Sequence, residues 1–276
     1  MRIAVTGAGG GLGRAFVERA PGHHDIVAFT HEELPVEERH SVFQLLVPTR
    51  PDLVLHCAAM TRVDDCEEDP DRAFRVNASG TGNVARATRE AGALLVYVST
   101  DYVFDGEKRE PYHEFDRTNP ISAYGASKLA GEEQARLTPE HLIVRTSWVF
   151  GAPGDYVTRS LEELRGGATV GAVVDRTSTP THVGHLAERL VPLALTGRRG
   201  LVHLGGPEAT TWFDLLSRAR ELGGLKGEVL EQKTGDLRLP APRPTNSALR
   251  SVVLEDGEVP PMPPLDDALE ELLGGD

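Results

Sequence analysis

The segment that most constrains this chain is its opening. A β-branched run, Arg2 to Thr6, leads at once into Gly7-Ala8-Gly9-Gly10-Gly11-Leu12-Gly13, and apolar residues at helical spacing follow from Leu12 to Ala20. Glycine at 7, 10 and 13 between a strand and a helix lets the backbone approach a pyrophosphate and points the helix N-terminus at its charge. A turn of that kind sits at the carboxyl edge of a parallel sheet. The residues that follow have the alternation such a sheet requires: short runs at Asp25 to Phe29, Leu53 to His56, Leu94 to Ser99 and Leu142 to Arg145, with helical patterns at Asp71 to Ala91 and Ser122 to Leu137. The runs at 53–55 and 94–98 are continuously apolar, as in strands buried on both faces.

Right-handed crossovers between parallel strands then give an α/β fold with a doubly wound sheet of the Rossmann type. Beyond Gly151 the regularity weakens. Tyr156 to Leu164, Trp212 to Leu222 and Leu265 to Leu273 read as helices, but prolines at 240, 242, 244, 260, 261, 263 and 264 break the chain. The expected organisation is a dinucleotide-binding domain over residues 1–150, rejoined by about 170–203. A second, smaller and loop-rich substrate-binding domain then takes about 151–169 and 204–276.

Charge narrows the partners. Lys plus Arg number 29 against 42 Asp plus Glu, a net charge of −13 that repels nucleic-acid phosphates and anionic lipid surfaces. No apolar run approaches the roughly 20 residues that span a bilayer, and Met1-Arg2 enters a strand rather than a leader segment. The expectation is a cytoplasmic protein with no nucleic-acid or membrane partner. Cys57 and Cys66, the only two cysteines, supply neither a disulfide framework nor a thiolate zinc site and read as packing residues.

Two further elements carry chemistry. Tyr124-Gly125-Ala126-Ser127-Lys128 opens a helical pattern, and i,i+4 spacing puts phenol and ammonium on one face, where the positive charge lowers the tyrosine pKa toward neutrality. That pair can work as a general acid or base. Ser99-Thr100-Asp101-Tyr102 leaves a strand at its carboxyl end, where ligands bind in open parallel sheets, and a hydroxyl there can hydrogen-bond a reacting carbonyl.

Together these elements resemble the extended short-chain dehydrogenase/reductase superfamily and, within it, the dTDP-4-dehydrorhamnose reductase branch. The resemblance covers nearly the whole chain. It rests on the glycine loop, the Tyr124/Lys128 pair, His56 to Asp64, Ser99 to Gly106, Arg145-Thr146-Ser147-Trp148-Val149-Phe150 and Arg243-Pro244-x-Asn246-Ser247. It implies that Thr100, Tyr124 and Lys128 are the catalytic triad and that Asn77 supports the site. Gly7, Gly10, Gly11, Leu12, Gly13, Thr30, His31, Ala58, Ala59 and Ser99, with Tyr124 and Lys128, would hold the cofactor. Thr61, Val63, Thr100, Asp101, Tyr102, Trp148 and Arg243 would lie at a sugar nucleotide, Arg243 near its diphosphate. The implied activity is NAD(P)H-dependent reduction of the C4 keto group of a nucleoside-diphosphate 4-keto-6-deoxy sugar. Two alternatives share the fold: a non-catalytic NADP-binding subunit like the β-subunit of methionine adenosyltransferase, and a nucleotide-sugar epimerase.

Departures from the family pattern carry equal information. Nucleotide-sugar dehydratases of this superfamily follow the site threonine with Asp and then Glu, whereas Thr100 is followed by Asp101 and Tyr102, so dehydration is not expected. Some reductases of the branch dimerise through magnesium held by glutamates, one just after Pro-Thr. Here Pro180-Thr181-His182-Val183-Gly184 has glycine at that point, so a monomer, or a homodimer without bridging magnesium, is expected. The strand Ile26 to Phe29 ends in Thr30-His31 rather than a carboxylate, which favours NADPH while leaving NADH possible. His182 and His185, Glu32-Glu33 and Glu37-Glu38 read as solvated faces, Trp212 as a packing residue, and Phe74 and Phe213 as core.

Overall fold

The computed structural model describes residues 1–20, 22–254 and 257–274. Its strands are β1 (Arg2–Thr6), β2 (Asp25–Phe29), β3 (Leu53–His56), β4 (Leu94–Thr100), β5 (His141–Thr146), β6 (Val149–Phe150), β7 (Thr169–Val173), β8 (Thr181–His182), β9 (Gly200–His203) and β10 (Glu228–Gln232). Its α-helices are α1 (Gly11–Arg19), α2 (Arg39–Leu46), α3 (Val63–Glu68), α4 (Pro70–Phe74), α5 (Thr81–Ala91), α6 (Ala123–Ala135), α7 (Tyr156–Arg165), α8 (Val183–Leu195), α9 (Trp212–Leu222) and α10 (Leu265–Gly274).

Six strands form one parallel sheet in the order β2-β1-β3-β4-β5-β9. The chain lays β2 on one side of β1 and then β3 on the other, so β1 and β3 flank the point where such sheets bind ligands. Apolar residues cover both faces. On one, Phe16 of α1 and Leu186 and Leu190 of α8 pack on Ile3, Val5 and Leu142. On the other, Val42 of α2, Val84 of α5 and Ala135 of α6 pack on Ala4, Val54 and Ile143. A separate core joins α7, α9 and α10 to the paired strands β7 and β10 through Leu161, Leu215, Leu269 and Val170. We therefore place the chain's return to the first lobe at α8, later than about 170, because Thr169–Val173 pairs with β10.

The helix expected over 71–91 is interrupted. α4 ends at Phe74, a π-helical stretch occupies Arg75–Gly80, and α5 follows. Ala73 is the buried residue of that turn while Phe74 is 40% exposed, which overturns its reading as core. Phe213 does pack against the smaller core.

One buried ion pair fixes helix to sheet. The carboxylate of Glu132, on α6, accepts Nε and Nη2 of Arg145 on β5, each at 2.7 Å, and the Ser99 hydroxyl of β4 at 2.6 Å. Both side chains are almost wholly buried, and the fork-to-fork geometry with an added hydroxyl compensates the desolvation of both charges. Arg145→Met is expected to cost about 3–5 kcal/mol, as for other buried pairs cut on one side. Removing the solvent-exposed Arg199–Glu140 pair by Arg199→Ala costs less than about 1 kcal/mol. Urea unfolding of the two variants checks the contrast.

Candidate active site

The glycine loop between β1 and α1 is built for close approach. Gly7 has φ +71°, and a Cβ there would lie 2.6 Å from the backbone of Ala58; one on Gly13 would lie 2.4 Å from the Gly7 carbonyl. Only glycine permits this packing of the loops that follow β1 and β3. Gly10 caps α1 without a side-chain hydrogen bond, so the first N–H groups of the helix stay available to an anion. These residues fit a dinucleotide pyrophosphate.

The loop opens onto a cleft of about 480 Å³. Gly7, Gly10, Gly11, Leu12, Gly13, Ala59, Ser99, Thr100, Tyr124 and Lys128 line it together with Thr61, Val63, Asp101, Tyr102 and Trp148. Most of the residues expected at the site thus meet in one place. Ala58 lies just behind Gly7. Arg243 borders an adjoining pocket that shares Thr61 and Val63 with the cleft.

Tyr124 and Lys128 both lie on α6, and the charges differ from expectation. Burial pushes the Tyr124 phenol well above its ordinary value, a hydrogen bond with Thr100 pulls against it, and Lys128 is not among the groups that lower it. The net direction is therefore the reverse of the anticipated acidification, because desolvation of the phenolate dominates. Lys128 is itself pushed down to about 8 by burial, donates from Nζ to the Val98 carbonyl at 2.7 Å and lies 4.2 Å from the centre of the Tyr97 ring.

Asn77 is the brace between the cleft walls. Its Oδ1 accepts the Met60 N–H at 2.8 Å, and its Nδ2 donates to the Met60 carbonyl at 3.0 Å and to Ser127 Oγ at 2.9 Å. Ser127 Oγ donates in turn to the Tyr124 carbonyl at 2.8 Å. The widened π turn carries Asn77 into this position. His56, fully buried between Thr6 and Thr81, is driven down to about 3 and stays neutral.

Asp101 borders the cleft, but its carboxylate turns inward. Oδ1 accepts the Thr100 hydroxyl at 3.0 Å, and Oδ2 accepts Ser147 at 3.1 Å and Ser178 at 3.2 Å. Arg243 forks onto Asp64, Nη2 to Oδ2 at 2.6 Å and Nη1 to Oδ1 at 3.0 Å, and holds that carboxyl below its usual range. Arg176, buried and near Tyr102, adds a second cation beside the cleft. Trp148 adopts φ +40°, a left-handed conformation that costs a bulky residue about 1–2 kcal/mol. Its indole stacks on Trp212 at 4.1 Å and 6°, a contact of about 0.5–1.5 kcal/mol that offsets the strain. Cys57 lines the cleft with its thiol pushed up to about 12 by burial, while Cys66 is fully buried; both are free.

The family model described as RmlD substrate binding domain matches residues 1–274. The chain belongs to that family. It is 40% identical over 259 residues to a probable dTDP-4,6-dihydroxy-2-methyloxan-3-one 4-ketoreductase of Streptomyces antibioticus, covering 90% of this chain and 86% of that protein. It is 33% identical to the dTDP-4-dehydrorhamnose reductase of Mycolicibacterium smegmatis, covering 98% and 84%. The crystal structure of the Bacillus anthracis dTDP-4-dehydrorhamnose reductase in complex with NADP superposes with a TM-score of 0.95 at 34% identity, covering 100% of this chain and 99% of that one.

Some sequence readings need correction. His182 and His185 are buried, at 6% and 8% exposure, not solvated: the end of β8 and the first turn of α8 bring them toward α10, where donor atoms of both and of Glu271 lie within 4.8 Å of one another. Arg19 already supplies a cation there, bonded to Glu271 and 3.5 Å from Glu188. Burial, then His185 and Arg19, bring His182 down to about 4. Glu132, Ser178 and Arg176 escaped sequence reasoning, Glu132 leaving a trace only as the next i+4 position after Tyr124 and Lys128; Arg145 was read as the start of the 145–150 motif, but not as the partner of Glu132.

Thr30 and His31 stand at the end of β2, His31 exposed. The carboxylate absent from that strand end arrives from Glu33, whose Oε2 accepts the Thr30 N–H at 2.8 Å and the Thr30 hydroxyl at 3.0 Å. These bonds lower the Glu33 pKa, so a negative charge sits where the adenine ribose of a dinucleotide lies in this fold. Glu33→Gln is expected to raise the NADPH-to-NADH ratio of kcat/KM severalfold and His31→Ala to lower it, as paired steady-state assays with both cofactors would measure.

Proposed function

We infer that this protein reduces the C4 keto group of a nucleoside-diphosphate 4-keto-6-deoxy sugar with NADPH or NADH. The observation that carries the reading is the convergence of Thr100, Tyr124 and Lys128 with the glycine loop in one cleft. It is supported by relatives named as a 4-ketoreductase and as dTDP-4-dehydrorhamnose reductases.

A reduced nicotinamide, when bound, supplies the hydride to the carbonyl carbon. The residues of this chain manage the charge that then develops on oxygen. Tyr124 keeps its proton in the resting cleft because burial disfavours the phenolate. An alkoxide formed from a ketone is more basic than that phenolate, so the transfer from Tyr124 runs downhill as the alkoxide forms. Thr100 is the second donor to the same oxygen. Its hydroxyl turns away from Asp101 Oδ1 to serve, while Ser147 and Ser178 still donate to Oδ2 of that carboxylate. Lys128, largely protonated below about 8, holds the nicotinamide ribose. Elimination of water has no second carboxylate to draw on, since Tyr102 packs edge-on against Tyr124, ring centres 5.6 Å apart.

We place the reaction in the cytoplasm, with the nucleotide sugar as the partner and no nucleic acid or bridging magnesium. Support comes from the net charge of −13, from the lack of any described helix long and apolar enough to cross a membrane, and from Arg19. A Cβ at Gly184 would lie 1.9 Å from Arg19 Nη1, so an arginine stands where the family's glutamate would project.

Incubation with NADPH and a panel of nucleotide 4-keto-6-deoxy sugars, followed by loss of nicotinamide absorbance, tests the activity; one cofactor is consumed per product, where an epimerase consumes none. Tyr124→Phe is expected to lower kcat by about 10²–10⁴ while cofactor affinity stays near wild type, and near-normal turnover would remove Tyr124 from the acid role. Light scattering with and without EDTA is expected to give the same mass; a shift to smaller species would overturn the magnesium-free assembly.

A further inference from the structure

The chain has two tryptophans, far apart in sequence, and the fold lays one flat on the other. Trp148 follows β5 and precedes β6, and its neighbours pin the backbone on both sides. Ser147 donates to the buried Asp101, and the Thr181 N–H donates to the Trp148 carbonyl at 3.2 Å. These contacts hold the main chain in its left-handed turn, φ +40°, but no hydrogen bond among the described residues reaches the indole. The orientation of the ring rests on packing.

That packing comes from the other lobe. Trp212 is the first residue of α9, a helix capped by Thr211 Oγ1, which accepts the Asp214 N–H at 3.0 Å. Leu215, Leu216 and Ala219 anchor α9 in the smaller core. Tyr156, the first residue of α7, closes edge-on against Trp212 at 5.1 Å and 67°. An aromatic ladder thus runs from the smaller core to the cleft. Trp148 lines the cleft, and Trp212 does not.

We propose that Trp212 is a positioning residue for the substrate: it fixes the Trp148 ring as a wall of the cleft, so that nucleotide-sugar recognition depends on a side chain that does not touch the ligand. The proposal rests on the reading of this cleft as a nucleotide-sugar site. A ring already held in place loses no rotational freedom when the substrate arrives, which is preorganisation in its simplest form. Neither indole stands in the path of the proton or the hydride, so the effect belongs in KM rather than kcat. A residue that served only the smaller core would change stability and leave KM alone.

The test compares Trp212→Ala with Trp212→Phe, since both leave Trp148 as the sole tryptophan emitter and only phenylalanine keeps an aromatic face for it. In Trp212→Ala, acrylamide quenching of Trp148 rises and its anisotropy falls. KM for the nucleotide sugar increases about 3–10-fold, the range of one lost aromatic pair, while kcat and NADPH affinity stay near wild type. Trp212→Phe restores most of both. The proposal is overturned if Trp148 is quenched equally in the two variants, or if the ring is freed and KM does not move. Should Trp212→Ala fail to fold, Trp212→Leu keeps apolar bulk without the aromatic face and serves the same comparison. Should the wild-type protein turn over no nucleotide sugar, the functional reading falls, and the fluorescence arm still decides whether Trp212 holds Trp148.

Discussion

Much of the site depends on the buried carboxylate of Glu132. It lies one helical step beyond Lys128 and two beyond Tyr124, and it receives Ser99 from β4 and both prongs of Arg145 from β5. Apolar packing alone would let α6 slide or roll on the sheet, because dispersion and hydrophobic contact are not directional. A forked, hydrogen-bonded ion pair is directional. It sets the rotation of α6, and so brings Tyr124 to the carboxyl end of β4, where Thr100 waits.

The cleft combines a floor whose one charge, the Lys128 ammonium, is easily lost with permanent charge placed at its edges. His56 stays uncharged beneath the loops, the phenol of Tyr124 keeps its proton, and the Lys128 ammonium is weakened by burial toward neutrality. The permanent cations, Arg243 and Arg176, stand at the other end, shared with Asp64. A protein of net charge −13 offers an anionic ligand little attraction at long range; on the proposed reading of the cleft, these local arginines and the N-terminus of α1 supply it. Arg243 is committed to Asp64 through both prongs of its guanidinium, which fixes its orientation.

The same economy of charge explains the cluster under α8. Two imidazoles and a carboxylate have the donor chemistry of a metal site, yet Arg19 reaches in from α1 and takes Glu271. The arginine ties α1, α8 and α10 together from within one chain. The sequence spacing of His182 and His185 suggested a solvent face, and only the approach of α10 made it an interior.

The sequence alone determined the parallel sheet, the glycine loop and the residues that meet in the cleft. Those signals are local: β1 and β3 were legible to the residue because a strand buried on both faces leaves an uninterrupted apolar run, and Gly7 and Gly13 announce a backbone that tolerates no Cβ. Tyr124 and Lys128 were legible because helical periodicity alone puts them on one face. What the tertiary structure decided is everything that depends on two distant segments meeting. The protonated state of Tyr124 follows from desolvation rather than from its neighbour four residues on. The carboxylate at the end of β2 comes from Glu33 folding back, the support of Trp148 comes from Trp212 across the lobes, and Phe74 faces water because a π turn interrupts its helix. Burial and long-range contact set each of these, and neither is written in local spacing.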